Sequence, residues 1–528
     1  MQNNNQQYSD RVSLLDQPPI LAAITGIQHG VERESLRINL DGSLAKTPHP
    51  ESLGAALTHH FITTDFSESL LEFITPPEMD SRTTMAQLSD IHKFTMSQLD
   101  NERLWPMSMP CYVKGEDDIN LAYYGESNVG KMKNLYRRGL KNRYGSMMQT
   151  ISGIHFNFSL PESFWRVYLP LIKEQESNQD NISAAYFSIL RNYKRYSWVL
   201  PYLYGASPAM CGSFIGDQKT ALPFKTFGKG SLYLPYATSL RMSDLGYTND
   251  AQSGLRICYN DVNNYVKLLR EATQTPSPLY AKFAGKVNGE YQQLNSNILQ
   301  IENELYSPIR PKQPTISLEK PTDALAERGV SYVEVRVLDV NPFSPVGLTL
   351  QQMRFLDVFL LYCLVKPSPY FDAASFEEAD RNMETTILEG RKPGVGLHRD
   401  GESIQLVEWA NKIFAEMDGI ADMLDKANNT NEYSAALNQE KLAVADPNLT
   451  VSGRLLSALL DTDKVIDNGE FALQLSEQYR QHFAATPYQI HDDNFFAKQA
   501  ELSWASQKQI ESEDAINFDQ FMQAQFGL

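Results

Sequence analysis

Glu32 and Glu34 stand two residues apart in Gly-Val-Glu-Arg-Glu-Ser-Leu-Arg at 30–37, while Asp65 precedes and Glu72 interrupts the apolar run at 70–74. Side chains two apart on a strand project from one face, so Glu32 and Glu34 point together. Carboxylates that converge away from water repel one another unless cations neutralise them. Such a set suits a hard, oxygen-ligated divalent ion, Mg²⁺ or Mn²⁺. For Glu32 and Glu34 alone, a solvated strand face with Arg33 as ordinary surface charge is the more commonplace reading. Glu72 fits that reading poorly: it lies between Leu71 and Phe73, and acidic side chains are seldom buried without a partner.

Two further segments add chemistry to this set. In Ile154-His155-Phe156-Asn157-Phe158 the apolar residues share one face and His155 and Asn157 the other; at 332–337, Val333, Val335 and Val337 alternate with Tyr332, Glu334 and Arg336. The polar faces thus collect Glu32, Glu34, Asp65, Glu72, His155, Glu334 and Arg336. This inventory suits a polynuclear Mg²⁺ site that handles phosphate, with the planar fork of Arg336 neutralising a transferring phosphoryl group. Taken alone, His155 reads as an ordinary core histidine.

The elements that must position these groups are strands. Ile38, Phe61-Ile62, 151–158 and 330–338 carry alternation or β-branched and aromatic content. From about residue 20 to 345 such runs alternate with helical stretches, without the Gly-rich turns of a doubly wound parallel sheet. Beyond Pro345 the apolar spacing turns helical: Leu350 to Val365, then Leu406, Trp409, Ile413, Met417, Ile420 and Leu424, then Leu455, Leu456, Leu459 and Leu460. The fold class is α+β. We expect a polar N-terminal tail over 1–20 with its first ten residues disordered, a sheet-bearing catalytic core over 21–345, and a mostly helical region over 346–528 packed on it.

Bulk properties narrow the function. A chain of 528 residues exceeds one ordinary core, and 42% hydrophobic content with 11% aromatics excludes wholesale disorder. A formal charge of −17 argues against nucleic acid or an anionic membrane as partner. Cys111, Cys211, Cys258 and Cys363 are scattered, with no Cys-x-x-Cys and no zinc spacing, which points to a reducing compartment. The N-terminus lacks the basic start and apolar core of a signal peptide, and the run at 355–365, interrupted by Asp357, is too short to span a bilayer. A soluble, cytoplasmic protein is expected. No Walker A, no Gly-x-Gly-x-x-Gly opening a helix and no nucleophile elbow occurs. The basic turn at 390–394 reads as a surface loop, and 191–204 as a packed helix with snorkelling bases. The patch at 136–144, rich in Arg and Lys, is either a phosphate or carboxylate clamp or a solvated helix face.

In combination these segments resemble the glutamate–cysteine ligase (γ-glutamylcysteine synthetase) family of proteobacterial type. The likeness rests on 30–37, on Leu-Thr-His-His-Phe-Ile-Thr-Thr-Asp-Phe at 57–66, Leu-Leu-Glu-Phe-Ile-Thr-Pro at 70–76 and Trp-Pro-Met-Ser-Met-Pro-Cys-Tyr at 105–112. It continues through Met-Gln-Thr-Ile-Ser-Gly-Ile-His-Phe-Asn-Phe-Ser at 148–159, Tyr-Ala-Thr-Ser-Leu-Arg-Met-Ser-Asp-Leu-Gly-Tyr-Thr-Asn at 236–249 and Gln-Ile-Glu-Asn-Glu-Leu-Tyr-Ser-Pro-Ile-Arg-Pro-Lys at 300–312. The last hundred residues resemble the family only loosely, and His29 and Val31 stand where Arg and Leu are usual. The resemblance implies ATP-dependent ligation of the glutamate γ-carboxylate to the amine of cysteine through γ-glutamyl phosphate, the first step of glutathione biosynthesis.

It further implies that Glu32, Glu34, Asp65, Glu72, His155 and Glu334 ligate two or three Mg²⁺ ions, with Mn²⁺ as a substitute, and that Glu334 and Arg336 are catalytic, Arg336 lying against the transferred phosphoryl. Arg241 would help hold the amino-acid substrate. Tyr136, Gln149, Tyr247, Tyr306, Phe66 and Leu140 would shape the cysteine pocket. Glutathione would act as feedback inhibitor. The fold implied is a curved, mostly antiparallel sheet cupping the site, related to glutamine synthetase, with helices outside. Two alternatives stay open at this level: a ligase with another acceptor amine, and a non-catalytic glutamate or nucleotide sensor.

Overall fold

The protein is described from a computed structural model over residues 2–173, 176–216, 220–246, 252, 255–461 and 464–527. Its centre is a seven-stranded sheet: β1 (Gln28–Asn39), β2 (Ile62–Thr64), β3 (Leu70–Ile74), β4 (Glu102–Leu104), β5 (Gly153–Ser159), β6 (Ile309–Lys312) and β7 (Tyr332–Asp339). The order is β6-β7-β5-β1-β3-β2, with β4 on the far end of β1. Every pairing is antiparallel.

Register does the positioning. Glu34 pairs across from Glu72, Glu32 from His155, Asn157 from Glu334, and Arg310 from Glu334. Directly opposed residues share a face, as do residues two apart along one strand. Glu72, Glu34, Glu32, His155, Asn157, Glu334, Arg336 and Arg310 therefore occupy one face of the sheet. A one-residue slip in any of these strands would turn its member of the set into the core.

The opposite face is apolar. Val31, Leu71, Phe73, Ile154, Phe156, Phe158, Val333, Val335 and Val337 are buried and belong to one core with the helices Ser81–Gln98, Gln179–Tyr196, Leu350–Val365, Leu406–Asn428 and Glu432–Ala445. Arg33 also lies on this side and is buried. The commonplace reading of Arg33 as surface charge is thus corrected: one of its Nη atoms donates to the Trp105 carbonyl at 3.3 Å, and burial pushes its pKa down to about 9. Asp357, the charge interrupting the apolar run at 355–365, is buried too. Its Oδ1 sits 2.8 Å from His29 Nε2, tying β1 to the central helix.

The N-terminal segment departs from the expected disorder. Gln2–Leu15 is a helix, with Tyr8 and Leu15 buried and Val12 packed beside them. Tyr8, Val12 and Leu15 recur at helical spacing, and the Tyr8 hydroxyl donates to the Glu416 carbonyl at 2.5 Å. The segment at 191–204 spans the ends of two helices, Gln179–Tyr196 and Val199–Tyr204. At 390–394, Arg391 is turned inward and donates to the Pro235 and Ala237 carbonyls.

Glu440, in the helix Glu432–Ala445, carries a pH prediction. Burial raises its carboxyl from 4.5 to about 7. Its Oε1 accepts both the Tyr204 hydroxyl and the Gln351 amide, two bonds that Gln retains. Since the folded pKa lies above the unfolded one, the stability linked to Glu440 is full below the unfolded value and is lost as pH rises through about 7. Relative to wild type, Glu440→Gln gains up to about 3 kcal/mol between pH 4.5 and 8. Urea unfolding at both pH values checks this; parallel pH profiles would reject it.

Candidate active site

The polar face of the sheet floors a cavity of about 400 Å³. Its lining includes Glu32, Glu34, Asp65, Phe66, Glu72, Tyr136, Leu140, Gln149, His155, Arg241, Tyr306, Glu334 and Arg336. The candidate site residues read from the sequence therefore converge here, except Tyr247, which lies outside the described residues. One wall is the helix Asn128–Tyr144, capped by the Ser127 side chain accepting from Gly130 N. Residues 133, 136, 137 and 140 lie three and four apart and share its inward face.

The carboxylates fall into two groups. Glu334 lies 3.2 Å from Lys312 and 3.0 Å from Arg336. Burial opposes its ionisation, but Lys312, Arg336, His155 and Arg310 overcome it and hold the carboxyl well below the ordinary range. Glu32 is likewise held low against burial by His155 Nδ1 at 2.9 Å, and it accepts from Asn157 at 3.0 Å. Glu34 accepts from Gly153 N at 2.6 Å, yet burial raises its pKa. Glu72 is raised well above the carboxylate range, by burial first and then by Glu32, Asp65 and Glu34. In the second group, His155, Arg241 and Arg336 act on Glu34 and Arg336 acts on Glu72, but they do not overcome burial and carboxylate repulsion.

Glu32, Glu72 and His155 each bring a ligand atom within 4.8 Å of the others. Two carboxylate oxygens and an imidazole nitrogen, beside further buried carboxylates, form a donor set that fits a small divalent cation. Such an ion would relieve the crowding at Glu72.

Arg241 is buried and fixed. It donates to the Arg336 carbonyl at 2.9 Å and lies 3.7 Å from Asp339; Asp339 in turn accepts from Ala206 N, Ser207 Oγ and Ser239 Oγ. Gly153 allows this approach, because a Cβ there would meet Arg241 Nη2 at 2.1 Å. On the other side Gln149 donates to the Tyr306 hydroxyl at 2.8 Å.

Sequence reasoning missed Lys133, Arg310, Lys312 and Glu304, which line the same cavity. The signal for Arg310 was present in the strand pairing partner of Glu334, whose own sequence is broken by Pro311. The basic patch at 136–144 divides three ways. Arg137 lines the cavity, Arg138 points out to Glu290, and Arg143 is buried against Glu304. Lys133 is depressed to about 8 by burial and by Arg137.

A family model described as glutamate-cysteine ligase matches residues 12–386. The chain is 48% identical over 507 residues to a glutamate–cysteine ligase of Serratia proteamaculans, covering 96% of each chain. It is 49% identical over 507 residues to one of Shewanella oneidensis, again covering 96% of each. The crystal structure of a glutamate–cysteine ligase from Francisella tularensis in complex with AMP superposes with a TM-score of 0.88 at 35% identity, covering 95% of this chain and 98% of that one. A bifunctional glutathione synthetase from Pasteurella multocida shares the fold, with a TM-score of 0.68 at 24% identity over 94% of this chain and 57% of the other.

Proposed function

We propose that this chain, which belongs to the glutamate–cysteine ligase family, joins the γ-carboxylate of L-glutamate to the amine of L-cysteine at the expense of ATP, forming γ-glutamylcysteine, ADP and phosphate. This is the first step of glutathione biosynthesis. The observation that carries the reading is the single sheet face on which carboxylates, His155 and Arg336 line one cavity. The relative crystallised with AMP supports ATP as co-substrate.

A carboxylate is a poor electrophile, so the γ-carboxylate first takes the terminal phosphoryl of ATP; the cysteine amine then attacks the acyl carbon and phosphate leaves. Phosphoryl transfer depends on positioning and on neutralising charge. Arg336, held by Glu334 at 3.0 Å, would lie against the transferring group. Arg241, braced by Asp339, holds the glutamate moiety. Tyr136, Gln149, Tyr306, Phe66 and Leu140, with Tyr247 by resemblance, form the wall for cysteine. Glu32, Glu34, Asp65, Glu72, His155 and Glu334 would hold two or three Mg²⁺ ions, with Mn²⁺ substituting, which supply positive charge to the phosphate and carboxylate oxygens.

The same reading takes the sheet as a curved, glutamine-synthetase-like cup, the boundary near 345 as the limit of the catalytic core, and the cytoplasm as its place. No helix among the described residues is long and apolar enough to cross a membrane. Glutathione, which carries both γ-glutamyl and cysteinyl groups, is the proposed feedback inhibitor; a rate unchanged by millimolar glutathione at low glutamate would remove it.

The direct test is ADP release by purified protein with ATP, Mg²⁺ and glutamate, with and without cysteine, following product by mass. Stoichiometric ADP and γ-glutamylcysteine, needing both amino acids, is the expected result. Equal turnover with serine would point to another acceptor, and no ADP under any combination would overturn the ligase reading.

A further inference from the structure

Lys133 is a charged side chain on the cavity wall with no assigned partner. Its ammonium makes no hydrogen bond or ion pair with a described residue. It lies over the Tyr124 ring at 5.3 Å, and that ring is anchored because its hydroxyl donates to the Thr64 and Asp65 carbonyls at 2.7 and 2.8 Å. Arg137, one turn along the same helix, is otherwise committed: its Nε donates to the Asp65 carbonyl, an Nη donates to the Lys133 carbonyl at 3.0 Å, and its guanidinium stacks on Tyr124 at 4.5 Å. Glu72 acts on Lys133 through space without bonding to it, and a half-buried cation with no hydrogen-bonded anion is an expensive arrangement unless a ligand completes it.

The placement of the cations separates their roles. Lys312 and Arg336 belong to the β6–β7 edge of the sheet, around Glu334. Lys133 stands over the opposite edge, beside Asp65 between β2 and β3. From β7 to β3 the order crosses three interstrand spacings, about 14 Å. Arg336 is paired with Glu334, so an anion on the β2–β3 side of the cavity meets Lys133. Tyr136 and Leu140, three and seven residues along the same inward face, belong to the wall assigned to the acceptor.

We propose that Lys133 binds the α-carboxylate of the acceptor amino acid and so selects an amino acid over a simple amine. This inference rests on the ligase reading and adds a specificity-determining contact to it. The acceptor's thiol side chain and its carboxylate would then be read by different residues, the carboxylate by Lys133.

The test compares cysteine with cysteamine, which keeps the thiol and amine and lacks the carboxylate. Wild type is expected to favour cysteine in kcat/KM by about 30-fold or more, the scale set by a buried charge pair. Lys133→Met should bring that ratio to within about threefold of unity, with KM for ATP and glutamate little changed. Lys133→Arg should retain most of the preference and guards against a variant that fails to fold. If Lys133 only offset Glu72 or supported the helix, cysteine and cysteamine would fall together and the ratio would persist, overturning the inference. A wild type that does not distinguish the two amines, or a variant whose change lies in KM for ATP, would overturn it as well. Absence of product from cysteine in wild type would instead overturn the ligase reading, and this inference with it.

Discussion

Glu72→Gln lowers γ-glutamylcysteine formation by about 100-fold or more and, in metal-free protein, raises the melting temperature. Both outcomes follow from one environment. Glu72 sits across from Glu34 in the ladder, with burial, Glu32, Asp65 and Glu34 all opposing its charge. Without a metal this carboxylate weakens the fold. Its folded pKa is raised, so its stabilising contribution is full below the unfolded value near 4.5 and is lost as pH rises beyond the ordinary carboxylate range. Gln removes the charge and that loss with it. If Glu72 is a Mg²⁺ ligand as proposed, the balance inverts on adding Mg²⁺, because a ligand that binds the folded state stabilises it and the variant has given up one donor. Wild type should therefore gain more in melting temperature on adding Mg²⁺ than Glu72→Gln does.

Glu334→Gln supplies the contrast. It should lower turnover to a similar extent, by about 100-fold or more, yet destabilise rather than stabilise the metal-free protein. Here the lost charge is the partner of Lys312 and Arg336. Turnover with saturating Mg²⁺ and thermal scans in chelator decide the matter; wild-type turnover in either variant would remove that residue from the site.

Much of this site was legible in the sequence, for a physical reason. Residues two apart on a strand share a face, so Glu32 with Glu34, His155 with Asn157, and Glu334 with Arg336 each declared an orientation. Periodicity cannot show that three such strands are neighbours, or which residue faces which. That came from the register of β1 with β3 and β5, and of β5 with β7. The family resemblance supplied the expectation that they meet. Lys133 escaped notice because a lysine on a polar helix looks like any solvated charge until the opposite wall is in place. Arg33 was misread for the converse reason: between two glutamates it looks exposed, and only the pleat of β1 sends it into the core. The helix at Gln2–Leu15 was hidden by its glutamines and asparagines, whose low hydropathy masked the Tyr8, Val12, Leu15 stripe.

Arg143→Met is expected to destabilise the protein by about 3–5 kcal/mol, the scale for removing one member of a buried ion pair. Arg143 and Glu304 are both fully buried and 2.9 Å apart. The guanidinium also donates to Gln293 Oε1 and to the Asn295 and Ile298 carbonyls, and stacks on Tyr280 at 4.1 Å. Between Gln292 and Tyr306 the only helix or strand is the short 3-10 turn Glu302–Glu304, so these side-chain bonds set its path. Methionine fills the space of the aliphatic stem but leaves Glu304 with two neutral donors, the Tyr144 hydroxyl and Gln300 N. Because Glu304 and Tyr306 line the candidate site's cavity, the proposed cysteine wall predicts that the loss also appears as a raised KM for cysteine. Adding Glu304→Met should recover part of the stability, since the pair is then removed together rather than halved. Urea unfolding of the single and double variants checks this; a single variant within about 1 kcal/mol of wild type would show that the pair contributes little to holding the wall.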